Sequence, residues 1–358
     1  MADSLVVGIV STRIGDHAPI GTSCEEGAIL AAEEINAGGG MPIPGGGSPR
    51  PLRLVHADDE GTPQGAERAI RSLLAAPDLF LVLGPDLSAL TYPTAHLTRQ
   101  ARVLQFTSAL SSRLTRLGNP WLFRVRPHNG YRAAAAARFI AQWGFRRLAL
   151  VYLDNELGQD GRDNAERVLA RAGMAPLLAR PVAGPQEDMA PLVAAVTAAR
   201  ADATLYWGTQ PAGATLLRAL RAGGWAGRFL SNTMDDIFLG IAGDAAEEGV
   251  GFDCFAYSDP DPRIQAFCRI FRARWGKEPD AHAASNYDAL MLLRDAVGSV
   301  GPDRDAVRVL LCSGRAFRGV AHTYRFDDRG ELHGWATVYE IQKKTAIFLE
   351  KLIGPVAG

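Results

Sequence analysis

Over most of its length the chain alternates apolar runs of strand length with amphipathic stretches of helical length, and this alternation restricts it to parallel α/β units. Strands are expected at 5–10, 52–56, 79–83, 103–106, 148–153, 204–207, 229–230 and 250–256. Helices are expected at 25–36, 63–75, 90–100, 131–143, 159–172, 188–200, 212–222, 262–275 and 283–300. So many units exceed one open sheet of ordinary width, and 358 residues suffice for two domains with a core in each.

In an open parallel sheet a ligand sits beyond the carboxyl ends of the strands, where helix N-termini offer free N–H groups to an anion. Between residues 79 and 111 the chain reads strand, turn, helix, strand, turn, and both turns carry hydroxyls: Pro85-Asp86-Leu87-Ser88 and Thr107-Ser108-Ala109-Leu110-Ser111. Ser88 and Ser111 belong at that rim, either as helix caps serving their own backbone or as donors to a small carboxylate. No nucleophile, base or metal cluster accompanies them in the sequence.

The first helix illustrates the local chemistry. Thr22 or Ser23 is expected to cap it, Glu25 and Glu26 to fill its first turn, and Gly38 to Gly40 to stop it. Ala28, Ala31, Ala32 and Ile35 form its packed stripe. The glycine-rich stretch 38–49 lacks the lysine and hydroxyl of a phosphate loop and reads as a surface loop. Two further segments look like crossovers between lobes: Trp121-Leu122-Phe123-Arg124-Val125-Arg126-Pro127, and the turn-rich Tyr257-Ser258-Asp259-Pro260-Asp261-Pro262. Arg124 and Arg126 could steer an anion there or brace the hinge. Strands at 323–326 and 335–341 follow, joined by the turn Asp327-Asp328-Arg329-Gly330. A chain that crosses between lobes more than once makes two discontinuous domains with a cleft between them.

With 38 basic and 39 acidic residues the chain has no electrostatic reason to seek nucleic acid or an anionic membrane. No apolar run approaches the roughly 20 residues of a spanning helix. Met1-Ala2-Asp3-Ser4 leads at once into a strand, so no export signal is read there; the chain is a cytosolic protein or an exported one whose signal has been replaced. Cys24, Cys254, Cys268 and Cys312 show no CxxC spacing and are expected to be mostly buried thiols. The seven histidines form no HExxH motif, and no G-x-S-x-G elbow occurs. Metal, cofactor and covalent catalysis are therefore not expected.

This order of elements resembles the type I periplasmic binding proteins, and within them the branched-chain amino acid and amide-binding group (Leu/Ile/Val-binding protein-like) that serves ABC importers. The resemblance rests on Glu25-Glu26-Gly27-Ala28 through Glu34-Ile35-Asn36-Ala37-Gly38-Gly39, and on Asp58-Asp59-Glu60 followed by Pro63. It runs from about residue 5 to 339. It implies an α/β fold of two doubly wound, Rossmann-like lobes closing on a ligand: 1–124 with 257–328, and 125–256 with 329–358. Hinge crossovers would lie near 121–127, 255–262 and 325–332.

In that family a serine at the strand-three turn and a turn after strand four hold the ligand carboxylate. The matching positions here are Ser88, Ala109 through its backbone, and Ser111 through its hydroxyl. On lobe two the sequence departs from the amino-acid binders. Their two cleft aromatics align with Leu157 and Thr209, and the acid that pairs with the ligand ammonium aligns with Thr233. Either Asp235 takes over that role or the ligand has no ammonium, since a buried ammonium without a counter-charge is costly. Tyr206 and Trp207 end a strand, where they could stack on a ligand or belong to the lobe core.

The resemblance implies a monomeric, non-enzymatic solute-binding protein in the periplasm. It would deliver a small carboxylate or amino acid, an aromatic acid included, to a membrane ABC permease. The alternative is a ligand-sensing receptor, or a cytosolic amide-sensing regulator of the same fold.

Overall fold

The structure, a computed structural model, describes residues 4–353. Residue contacts divide the chain into two units, Met1–Pro127 with Asp261–Gly334 and His128–Pro260 with Trp335–Gly358.

Unit one starts with β1 (Leu5–Ser11), whose residues are all buried, as a strand covered on both faces must be. Helix α1 (Ala18–Ala37) begins well before the expected Glu25. Pro19 sits in its first turn and His17 precedes it without a side-chain cap, so Thr22, Ser23, Glu25 and Glu26 lie inside the helix and neither Thr22 nor Ser23 caps it. Tertiary contact explains the early start. Gly21 lies against the Thr12 carbonyl, which an added Cβ would meet at 1.9 Å, and Ser23 donates its hydroxyl to Asp280. The chain continues through β2 (Leu52–Asp58), α2 (Pro63–Leu74), β3 (Leu79–Leu83), α3 (Ser88–Ala101), β4 (Leu104–Thr107) and β5 (Leu122–Arg124). The sheet order is β2-β1-β3-β4-β5, and every pairing in it is parallel.

Unit two is built from α4 (Asn129–Trp143), β6 (Leu148–Leu153), α5 (Glu156–Arg171), β7 (Leu178–Val182), α6 (Ala190–Ala198), β8 (Ala203–Trp207), α7 (Gln210–Ala222), β9 (Arg228–Ser231), α8 (Asp236–Ala242) and β10 (Val250–Asp253). The chain returns to unit one for α9 (Pro262–Trp275), α10 (Ala281–Val300), α11 (Arg304–Leu311) and the short pair β11 (Phe317–Arg318) and β12 (Thr323–Tyr324). It ends in unit two with β13 (Trp335–Gln342) and β14 (Thr345–Ile353), which pair antiparallel. The second sheet has the order β14-β13-β10-β9-β8-β6-β7.

The apolar residues of unit two's sheet alternate between two cores. Val151, Tyr206 and Phe229 pack on one face, and Leu150, Leu205 and Trp207 on the other. Trp207 thus belongs to the core: its ring lies against α5 at Gly161, where an added Cβ would meet its Cγ at 2.8 Å. β7 carries Pro181 and escapes the sequence pattern because it is an edge strand, where a missing N–H costs no ladder bond. The glycine-rich stretch is an exposed loop closed by the Met41–Arg50 bridge. All four cysteines are free; Cys24, Cys254 and Cys268 are buried and Cys312 half-buried.

Candidate functional site

Both sheets reverse their strand order once in the parallel part, between β1 and β3 in unit one and between β6 and β8 in unit two. In doubly wound sheets these switch points open a crevice beyond the strand ends, because the flanking connections leave to opposite faces. Asp86 and Ser88 follow β3 at the first switch point. Leu157 follows β6 and Thr209 follows β8 at the second.

Ser88 is the first residue of α3, and Leu87 before it is extended. Its hydroxyl does not cap its own helix. Ser88 Oγ accepts the N–H of Leu110 at 3.1 Å and of Ser111 at 3.0 Å, stitching the β4 turn to the β3 turn. Both lone pairs are then engaged, and the hydroxyl proton is available to an acceptor. Ser111 Oγ accepts the Arg113 N–H at 3.3 Å. Ala109 differs from expectation. Its N–H donates to Thr107 Oγ1 at 3.1 Å and its carbonyl accepts from Arg124, so its backbone is committed at both ends.

Arg124 is fully buried and acts as a brace. It pairs with Glu331 at 2.9 Å and donates to the carbonyls of Ala109 and Ser111, which fixes the β4 turn from below. Arg126, also buried, bonds to the His282 ring at 3.1 Å. Asp86, named in the turn but not singled out in the sequence, is 8% exposed and accepts the hydroxyl of Ser108 at 2.6 Å and its N–H at 3.2 Å. The buried Cys24 thiol, 3.8 Å from His282 Nδ1, lies close by; burial pushes it far up, with the Asp86 charge adding and Arg126 opposing.

In unit two, Leu157 is buried in the first turn of α5, and its carbonyl accepts from Asn129 Nδ2 at 3.1 Å. Thr209 is the N-cap residue of α7 yet makes no cap bond, and its buried Oγ1 has no partner among the described residues. Asn232 ties the β8 and β9 turns together by accepting the Gly208 N–H at 2.9 Å, while its buried Nδ2 has no partner among the described residues. Thr233 is buried beside the Tyr339 hydroxyl. Asp235 caps α8 by accepting the Phe238 N–H at 3.2 Å, and its other oxygen accepts from Gln210 Nε2 at 2.7 Å. Both of its carboxylate oxygens are thus engaged. Tyr206 donates to the Thr209 carbonyl at 3.2 Å from within the core, where burial pushes its phenol up.

Asp86, Asn232 and Gln210 escaped the sequence reading because each sits at a strand-to-helix connection where Asp, Asn and Gln are ordinary. Burial distinguishes the first two, and for Asn232 the Nδ2 without a partner among the described residues. Among the described residues no group of three or more His, Cys, Asp or Glu side chains is placed to hold a metal ion. No described helix is long and apolar enough to cross a membrane.

Comparison with known proteins bears on this architecture. The sequence model of a family described as "Periplasmic binding protein" matches residues 4–346. An amino acid binding protein of Pseudomonas aeruginosa is 24% identical over 337 residues, covering 92% of this chain and 87% of that protein. A leucine binding protein from Thermotoga maritima superimposes with a TM-score of 0.88 at 20% identity, covering 98% of this chain and 99% of the other. A solute binding protein of an ABC transporter from R. palustris, solved in complex with benzoate, gives a TM-score of 0.88 at 18% identity, with 98% and 96% coverage. At these identities the two structures establish the fold alone.

Proposed function

The chain belongs to the periplasmic binding protein family, and from that premise we propose that it captures a small carboxylate-bearing solute outside the cytoplasmic membrane and hands it to an ABC permease. The observation that carries this reading is the Ser88 hydroxyl. Two backbone amides saturate its lone pairs, so its proton is left for an acceptor at the switch point of unit one. Ser111 adds a second hydroxyl on the adjoining turn. Unit two offers hydrogen bonds of its own at its strand ends from the buried Thr209 Oγ1 and Asn232 Nδ2, where Leu157 and Thr233 also lie, and Asp235 caps α8 there.

The protein does no covalent work on the solute. A solute stabilises the bound arrangement over the unbound one by its differential contacts, and the permease reads that arrangement. Isothermal titration against amino acids, aliphatic acids and benzoates tests the reading. Saturable heat with at least one of them is expected; no heat with any would overturn it. Fractionation of cells carrying the full natural gene should place the protein outside the cytoplasmic membrane.

A further inference from the structure

We propose that unit one carries a second ligand site, a cavity between α9 and α10 that takes a small organic anion with an apolar body, apart from the hydroxyls at the strand ends.

The cavity has a volume of about 590 Å³, within the range of small-molecule sites. Its walls are helix faces. Arg263, Ala266, Phe267 and Ile270 recur at the i, i+3, i+4, i+7 spacing of one side of α9, and Tyr287, Met291 and Arg294 follow one side of α10. Both helices pack on α1 and meet each other at Phe267 and Tyr287, whose ring centroids lie 4.9 Å apart. This aromatic pair is buried, whereas Ile270 is 40% exposed. A ligand body laid over Phe267, Ile270 and Met291 removes apolar surface from water.

The site is separate from the switch point. Glu34, which also lines the cavity, lies in the last turn of α1. Because that helix leaves the carboxyl end of β1, its last turn is about 24 Å along the axis from the strand ends. No described residue of the turns after β3 or β4 lines the cavity.

The charges select an anion. Glu34 accepts from the Tyr287 hydroxyl at 2.6 Å, and Asp288 from the Val320 N–H at 2.8 Å and the Tyr324 hydroxyl at 3.0 Å, so both acids of the lining are engaged within the fold. Arg263 is paired with Asp261 and Arg294 with Asp295, each at 2.8 Å. Arg318 of β11 is different: it lines the cavity, is exposed, and its guanidinium has no hydrogen bond or ion pair among the described residues. A guanidinium presents a planar fork of donors that matches the paired oxygens of a carboxylate, sulfonate or phosphate. The apolar wall beside it favours an anion that carries hydrocarbon over an inorganic one. A cationic ligand would meet three guanidiniums instead.

Fluorescence titration of the intact chain with 8-anilinonaphthalene-1-sulfonate, an aromatic anion that brightens in apolar surroundings, tests this. Saturable enhancement is expected. Arg318→Glu should weaken the probe about tenfold, the scale of losing a charge-assisted hydrogen bond, and Arg318→Lys, which keeps the charge, should retain most of the affinity. Ile270→Glu should also weaken it. N-phenyl-1-naphthylamine, the same rings without the sulfonate, should be indifferent to Arg318→Glu or fail to bind. A probe lodged at the strand ends would ignore all three substitutions; that result, or no saturable enhancement in the wild-type chain, would overturn the proposal. So would an equal loss of both probes in Arg318→Glu, which would show disruption of the fold rather than removal of an anion contact.

Discussion

Replacing Ser88 with alanine separates structural bracing from ligand contact, because one oxygen performs both tasks. In the free protein Ser88→Ala leaves the N–H groups of Leu110 and Ser111 without their acceptor in a site only 2% exposed. Each orphaned buried donor costs about 1–3 kcal/mol. The two share one turn that can relax, so a loss of about 2–4 kcal/mol is expected in urea unfolding followed by circular dichroism. At a slope of about 2–3 kcal/mol per molar urea, this shifts the midpoint by about 1 M. On binding, loss of the donated proton leaves a ligand carboxylate oxygen short of one bond, about 1–3 kcal/mol or roughly 5- to 150-fold in Kd. Titration calorimetry of the folded variant reads that part separately. Ser88→Thr, which keeps the hydroxyl, should recover part of both. Lost stability with unchanged affinity would show that Ser88 only holds the β4 turn and would remove it from the binding site. Stability within about 0.5 kcal/mol of wild type would refute the bridging argument itself.

Three further outcomes follow from named contacts. Arg124→Met should cost about 3–5 kcal/mol, since it strands the buried carbonyls of Ala109 and Ser111 and unpairs Glu331; a urea midpoint close to wild type would count against the brace. Burial pushes the Asp288 carboxyl up to about 7, against the Val320 and Ala321 N–H groups, the Tyr324 hydroxyl and Arg263, which pull it down. The folded state therefore holds this proton more firmly than the unfolded one. The contribution is full below about pH 4 and is lost as pH rises through about 7, by at most about 4 kcal/mol; comparing urea midpoints at pH 5 and 8 in wild type and Asp288→Asn isolates it, and an equal pH change in both would refute it. Gly27→Ala should destabilise by about 1–3 kcal/mol or more, because its Cβ would meet the Ala283 carbonyl of α10 at 2.1 Å, whereas Gly240→Ala in α8 has nothing within 4 Å and should be neutral or stabilising; thermal melts that rank them the other way would refute the packing argument.

Legibility differed between elements for physical reasons. β3 and β6 were readable to the residue because they are apolar throughout and buried. The start of α1 was not, because Thr22 and Ser23 resemble cap residues and only the contacts of Gly21 with Thr12 and of Ser23 with Asp280 show them to be helix interior. β14 escaped because its burial is partial and its charges are spread along the strand. At the candidate site, the rim hydroxyls could be named from the turn sequences. The direction of their bonds could not: that Ser88 serves another turn's amides, that the Ala109 backbone is already committed, and that Asp235 is spent as a cap are all facts of neighbours distant along the chain.

The amino-acid order alone determined the class of fold and the ends of the strands where polar groups must gather, because both depend on local periodicity and on residues adjacent in sequence. Strand order was decided only by tertiary structure, and with it the two switch points that set Asp86 and Ser88 apart from other turn residues. Whether a polar side chain is satisfied depends on which distant backbone and side-chain groups surround it after folding. The bonds that Ser88 accepts from Leu110 and Ser111, and the burial of Asp86 against Ser108, are therefore properties of the folded chain rather than of any segment of it.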